Sequence, residues 1–431
     1  MQEIAAAQGE VQQYRRRLDG LLLYGGTFQT PVGQAFAALL AALQSGDAGL
    51  SLTAYGGWFQ ALAAAGTSWG NHLLRQIVYA ENPFTAQAQR HSYSDLTPAL
   101  IEAARHDLAQ LQALYQLDGA RVSGWVQAIA RLPEPPVVWA IAPEAASPLP
   151  LPAAAPWAEA VAELAAHYRR HGAGVFAQYR AFSWRDGQLQ GIAEPDPIRL
   201  DQLTAYDHPR QQLVQNTLAL LKGYPALNVL LYGSRGAGKS SLVKALVNEY
   251  APQGLRLVEV AKGDLQALPE IVGELRSRPQ KFIIFVDDLS FEEDDDTFKS
   301  LKVVLEGSTT ARPANVVVYA TSNRRHLVRE FFSDRPRPRD QDEVQSWDTM
   351  QEKLSFSDRF GLTLTFEPAD QPTYLAIVRH LAQQAQIPLT DEELTARALQ
   401  WATRHNGRSG RAARQFIDWL TAEIGLGNQP G

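Results

Sequence analysis

Two textures divide the chain. Over roughly its first half, apolar residues recur at three- and four-residue spacing in stretches such as Thr97–Leu117 and Trp157–Arg170. That spacing predicts amphipathic helices. From Asn228 the pattern changes to short apolar, β-branched runs alternating with helical segments: Asn228–Gly233, Leu255–Ala261, Lys281–Asp287, Asn315–Thr321 and Leu362–Phe366. Uninterrupted apolar strands separated by helices predict a parallel sheet covered on both faces. Beyond Pro368 the helical period returns in Tyr374–Gln384, Glu392–His405 and Ser409–Ile424, which read as a small bundle. Between the two textures, Leu132–Pro156 is rich in Pro and Ala. It cannot be one helix, because proline lacks the N–H donor and clashes with the preceding turn. The expected organisation is a mostly α-helical N-terminal domain (1–131), a Pro/Ala-rich linker with a connecting helix (132–193), an α/β domain with a parallel five-stranded sheet (194–367) and a C-terminal helical lid (368–431). The hexapeptide pattern YGGxFQ occurs at Tyr24–Gln29 and at Tyr55–Gln60. Two copies are too few for a repeat array, so turns between packed helices are expected at both places.

Composition narrows the function classes. No lysine occurs before Lys222, and there is no cysteine, which excludes a disulfide scaffold, a thiol nucleophile and a cysteine-ligated zinc. The net charge of −6 gives no footprint for nucleic acid. The first twenty residues lack a basic region followed by an apolar run, and no segment approaches the roughly 18 uninterrupted apolar residues of a membrane helix. A cytoplasmic protein without a membrane partner is expected. His167 and His171 stand four apart on a helix, the spacing for a shared metal, but Tyr168, Arg169 and Arg170 lie between them and the glutamate of a metalloprotease motif is missing. A solvated helix face is the expectation there.

The most specific motif is Gly233-Ser234-Arg235-Gly236-Ala237-Gly238-Lys239-Ser240, followed by Ser241. It comes directly after an apolar strand and opens a helix, the context a phosphate-binding loop requires. The glycines allow backbone N–H groups to curl around phosphates, and the helix dipole adds positive potential at that point. Lys239 is expected on the β- and γ-phosphates of ATP and the Ser240 hydroxyl on magnesium. Phe282–Val286 is a strand buried on both faces that ends in Asp287 and Asp288. Asp287 is the expected metal carboxylate and Asp288 the group that orients or deprotonates water. The acidic run Glu292–Asp296 reads as a solvated helix start stabilised by the dipole, with a cation or basic partner as the other reading. Val316–Ser322 leads to Asn323 and then to Arg324 and Arg325.

This order resembles the AAA+ ATPases. The stretches FVDDLSFEE (Phe285–Glu293), YATSNRRHLVREFFSD (Tyr319–Asp334), LSFSDRFGLTLTF (Leu354–Phe366) and RSGRAARQFIDWL (Arg408–Leu420) are similar to a widespread bacterial AAA+ family, known mainly as a domain of unknown function and described as ATP-binding. The likeness covers about Glu194–Ile424. It implies an AAA+ P-loop NTPase fold with a helical lid. Asn323 would contact the γ-phosphate or the water, a task Thr321 or Ser322 could share. Arg359 would be an arginine finger acting on a neighbouring subunit, a device able to change rate by about 10³–10⁵; a surface salt bridge is the alternative. Arg411, or Arg414 one turn later, would be the lid arginine, and either could be a plain helix-face charge. Arg324 and Arg325 would face a neighbouring subunit or cover a helix start. Tyr206 belongs to a lead-in, Asp196–His208, that resembles the lining of an adenine pocket, with Ala205 where the family has glycine. Many AAA+ proteins have glutamate where Asp288 stands, whereas replication initiators and helicase loaders commonly carry an aspartate pair. The resulting expectation is a homo-oligomeric Mg2+-dependent ATP hydrolase that remodels or loads a macromolecular partner held by the N-terminal domain. A nucleotide-dependent switch with little turnover and a DNA-associated loader are the alternatives.

Overall fold

The computed structural model describes residues 2–141, 151, 155–290, 297–306, 313–323, 359–405 and 407–427. The chain forms two compact units, Met1–Gln178 and Tyr179–Gly431.

The first unit is helical: α1 (Gln2–Asp19), α2 (Pro31–Ser45), α3 (Ala48–Ala65), α4 (Trp69–Val78), α5 (Pro83–Ala88), α6 (Pro98–Tyr115), α7 (Gly119–Ala130), α8 (Val161–His171) and the single turn α9 (Val175–Gln178). Local chemistry sets the helix starts. The side chains of Thr30, Asp47, Ser68 and Asp118 each accept an N–H of the first turn, and Asn82 and Thr85 form a reciprocal pair. Leu39, Leu108, Leu111, Val126 and Leu164 fill the core beside an aromatic cluster in which the Phe36 and Trp69 ring centroids lie 4.1 Å apart. One buried charge organises the α1–α2 connection. Asp107, on α6, accepts the N–H groups of Leu22, Leu23 and Tyr24 at 2.7–3.0 Å.

Two expectations are revised here. The linker 132–193 is divided. Trp157, Leu164 and Tyr168 are buried in the helical core, so α8 belongs to the first unit, whereas Ala181–Gly191 forms strands of the second. The two YGGxFQ sites are also unlike. Tyr24–Phe28 is a 3-10 turn, but Tyr55–Gln60 lies inside α3, where Tyr55 and Trp58 face the core. Surroundings, not the hexapeptide, decide the backbone at each. His167 and His171 do share a face, rings 4.6 Å apart, and burial and the neighbouring imidazole push His167 down to about 4.

The second unit holds β1 (Ala181–Arg185), β2 (Gln188–Gly191), α10 (Asp207–Leu221), β3 (Val229–Gly233), α11 (Lys239–Tyr250), β4 (Leu255–Glu259), α12 (Leu268–Leu275), β5 (Lys281–Val286), α13 (Thr297–Glu306), β6 (Val316–Ser322), β7 (Leu362–Phe366) and a bundle of α14 (Gln371–Gln384), α15 (Asp391–Arg404) and α16 (Gly410–Gly427). The strand order is β2-β1-β4-β5-β6-β3-β7. All five expected strands are present and parallel. The sheet has seven strands rather than five, because the β1–β2 hairpin is added at the β4 edge, β1 parallel to β4 and antiparallel to β2. Leu213, Leu242, Val243 and Leu246 of α10 and α11 cover one face through Leu231, Ile283, Phe285 and Tyr319. The alternate residues Leu230, Ile284 and Val318 are buried too, so both faces are covered. This is a mostly parallel α/β fold followed by a C-terminal helical bundle, here called the lid. No helix of the described residues is long and apolar enough to cross a membrane.

Replacing Asp107 by alanine would strand three amide donors of the α1–α2 connection. The expected result is a helical unit less stable by about 3 kcal/mol, read as an earlier unfolding transition in urea.

Candidate functional site

The carboxyl ends of β3, β5 and β6 come level with one another. Leu231 pairs with Thr321 and Tyr232 with Ser322, while Val286 pairs with Ala320. The next residues are therefore the phosphate-loop motif on one strand, Asp287 and Asp288 on the second, and Asn323 on the third. They open on a cavity of about 550 Å³ lined by Arg235–Ser241, Asp287, Asp288, Thr321 and Asn323, by Gln202–Thr204 and Tyr206, and by Ile377, Arg411 and Arg414 of the lid.

The loop geometry follows from its glycines. Gly236 and Gly238 have φ of +77° and +86°, which side chains resist. Gly233 has no room for a side chain, since a Cβ there would lie 1.9 Å from the Phe366 carbonyl oxygen of β7. Gly233 and Ser234 do not line the cavity. Their carbonyls accept the Lys239 ammonium at 2.8 and 2.9 Å, and Asn323 Oδ1 accepts it at 3.2 Å. Burial lowers the pKa of Lys239, opposed by Asp287 and Asp288.

The hydroxyls of Ser240 and Thr321 both donate to Asp287 Oδ1, at 2.6 and 2.5 Å. Asn323 Nδ2 donates to Asp288 Oδ1 at 2.6 Å, so Asn323 joins the lysine to the second acid. Hydroxyl and carboxylate oxygens are the hard donors that magnesium prefers, and Ser240 and Asp287 meet that requirement. Among the described residues, the lining carries four cations (Arg235, Lys239, Arg411 and Arg414) against two carboxylates. In a chain of net charge −6, the described lining thus has a positive surplus, which fits a polyphosphate.

Elsewhere in the lining, Tyr206 donates its hydroxyl to the Glu367 carbonyl at 2.7 Å and packs on Phe366 at 5.2 Å. Ala205, with φ of +68°, leans on the lid core and does not line the cavity. The missing glycine therefore costs backbone energy, about 1 kcal/mol, without touching the site. Both Arg411 and Arg414 line the cavity, so the geometry accommodates either as lid arginine. The Arg411 N–H donates to the Gly236 carbonyl at 3.2 Å, tying the start of α16 to the loop. Ser322 is buried and does not line the cavity. Arg359 stands before β7, outside the lining residues. Arg324, Arg325 and the run Glu292–Asp296 lie outside the described residues. Gln202 and Leu203 fall within the lead-in Asp196–His208 expected at a pocket, whereas Ile377 and Leu381 were not anticipated. Their signal is tertiary, because lid packing brings α14 over the segment ahead of α10. His380 of α14 meets the Asp201 carbonyl at 2.8 Å.

A family described as "Protein of unknown function (DUF815)" matches residues 177–424, which extends the likeness upstream through the β1–β2 hairpin. The replication factor C large subunit of Staphylothermus marinus is 37% identical over 85 residues, 20% of this chain and 19% of that protein, so the match spans about a fifth of the relative. The Thermotoga maritima RuvB Holliday junction branch migration motor overlaps with a TM-score of 0.32 at 14% identity, covering 52% of this chain and 72% of RuvB. A single-site variant of the same motor gives a TM-score of 0.32 at 15% identity with the same coverage. An overlap this loose says nothing of activity.

Gly236 and Gly238 make a matched pair for testing the lid contact. Both alanine variants carry the left-handed penalty of about 1–2 kcal/mol. Only at Gly236 would the new Cβ meet the lid, at 2.9 Å from Ser409 Oγ, whereas nothing lies within 4 Å at Gly238. Hydrogen exchange across Ser409–Arg414 should accelerate in Gly236→Ala and stay near wild type in Gly238→Ala.

Proposed function

We propose that this chain, which belongs to the family described as protein of unknown function (DUF815), binds ATP with magnesium in the cavity between sheet and lid and hydrolyses it. The carrying observation is that Lys239, Ser240, Asp287, Asp288 and Asn323 meet at one mouth of the sheet, with a surplus of cations among the described residues around them. In this reading Lys239 and the loop N–H groups hold the phosphates. Ser240 and Asp287 hold magnesium, directly or through water, and the metal neutralises phosphate charge. Asp288, held by Asn323, orients the attacking water, while Tyr206, Leu203 and Ile377 enclose the base. Arg411 or Arg414 closes the lid over the phosphates.

Assembly belongs to the same proposal. Arg359 lies outside the lining, a position compatible with service to an adjacent copy. The helical unit is the partner-recognition part. It offers a separate cavity of about 330 Å³ whose walls combine the buried Tyr55, Trp58 and Trp69 with the half-buried Phe59 and Trp139. A second reading, a nucleotide-held switch with little turnover, draws on the short side chain of Asp288 and its engagement by Asn323. Turnover separates the two.

Lys239→Ala should weaken binding of a fluorescent ATP analogue by about 100-fold, since charged hydrogen bonds to the phosphates are lost. Asp288→Asn should keep ATP bound while phosphate release falls by about 10²-fold or more. Wild-type binding in the first variant would put the site elsewhere, and undiminished release in the second would move the water-orienting task to another acid.

Arg359→Ala should bind ATP normally and turn it over poorly. Mixed with Lys239→Ala, it should recover activity above either variant alone, because some junctions then pair an intact loop with an intact arginine. No recovery once subunit exchange is demonstrated would make Arg359 a residue that acts within its own chain.

A further inference from the structure

We infer that Thr321 is a positioning residue for the acidic pair, fixing which Asp287 oxygen is offered to the metal and holding the turn that presents Asp288. This deepens the reading of the cavity as a magnesium–nucleotide site and rests on it. Thr321 is buried, at 2% exposure, yet lines the cavity. Its hydroxyl is used twice. It donates to Asp287 Oδ1 at 2.5 Å and accepts the Asp288 N–H at 2.9 Å. Its carbonyl takes the Leu289 N–H at 2.7 Å.

The need for this arrangement lies in the backbone. β5 ends at Val286, paired with Ala320, and the chain then leaves the sheet through Asp288 in the left-handed region, φ +50°. Such a conformation is unfavourable for a residue with a side chain and persists where its surroundings hold it. The β5–β6 pairing ends at Val286, so side chains supply the acceptors for the Asp288 N–H. The nearer is the Thr321 hydroxyl, one residue beyond the last pair, and the other is Asp287 Oδ1.

The same hydroxyl sorts the two oxygens of Asp287. Oδ1 receives Ser240, Thr321 and, at 3.1 Å, the Asp288 N–H. Oδ2 accepts no hydrogen bond from the described residues. A carboxylate pinned through one oxygen offers the other to a cation in a fixed direction, and partners of metal ligands commonly change metal affinity or activity by about 10–100-fold. Valine at 321 keeps the shape of threonine and the bond to the Leu289 N–H while deleting both hydroxyl bonds. Serine keeps the hydroxyl.

The test uses Thr321→Val and Thr321→Ser in the full chain. Without metal or nucleotide, amide exchange of the peptide carrying Asp288 should quicken in the valine variant and match wild type in the serine variant. With ADP present, Mn2+ binding followed by electron paramagnetic resonance should weaken by about 10–100-fold in Thr321→Val and recover in Thr321→Ser. Turnover should follow as a fall in kcat with KM for the nucleotide little changed. Unchanged exchange at Asp288 in Thr321→Val overturns the hold on the turn, whatever the cavity binds. Wild-type Mn2+ affinity in that variant overturns the orienting role. Failure of the wild-type protein to bind Mn2+ with nucleotide overturns the reading of the cavity itself.

Discussion

The site depends on strand register. A parallel sheet brings the carboxyl ends of β3, β5 and β6 to one edge, and pairing of Leu231 with Thr321 and of Val286 with Ala320 places the glycine loop, the aspartate pair and Asn323 at the same height. A shift of one residue in any of these strands would turn its side chains to the opposite face and bury or misdirect the acids. The register is specified by burial on both sides. Leu230, Leu231, Ile283, Ile284, Val317 and Val318 are all inaccessible to solvent or nearly so, so every slipped alternative forces a polar residue into the core.

Close backbone approach then sets the fine geometry. Gly233 sits against the Phe366 carbonyl of β7, and Gly236 against Ser409 and Arg411 of the lid. The loop is therefore held between the last strand and the last helix, and its carbonyls are used inward on Lys239 and outward on the Arg411 N–H. Lid position and loop conformation share atoms, so movement of one is felt by the other without an intermediate element.

Much of this was legible in the sequence because buried parallel strands read as plain apolar runs, and because a loop with positive φ at Gly236 and Gly238 announces itself through glycine. The β1–β2 hairpin falls outside the five expected strands although the sequence carries its signal. Asp186-Gly187 joins the strands with φ of +51° and +74°, the pair of positive values that favours Asp-Gly in a two-residue hairpin. The polar composition of Gln188–Gly191 masked it, as expected of an edge strand. The lid residues of the cavity were hidden for another reason. Ile377 and Leu381 look like ordinary bundle core positions, and only lid packing turns them toward Tyr206 and Leu203. The two YGGxFQ sites teach the converse, that six shared letters are too few to impose a backbone when one copy sits inside an eighteen-residue helix.

The central claim is that one cavity holds the base between the segment ahead of α10 and the lid helix α14. Photolabelling with 8-azido-ATP and magnesium, followed by peptide mapping, tests it most directly. Label on peptides containing Gln202–Tyr206 or Ile377–Leu381, displaced by unlabelled ATP, is the predicted result. Displaceable label confined to the helical unit, or to the β1–β2 edge of the sheet, would contradict it.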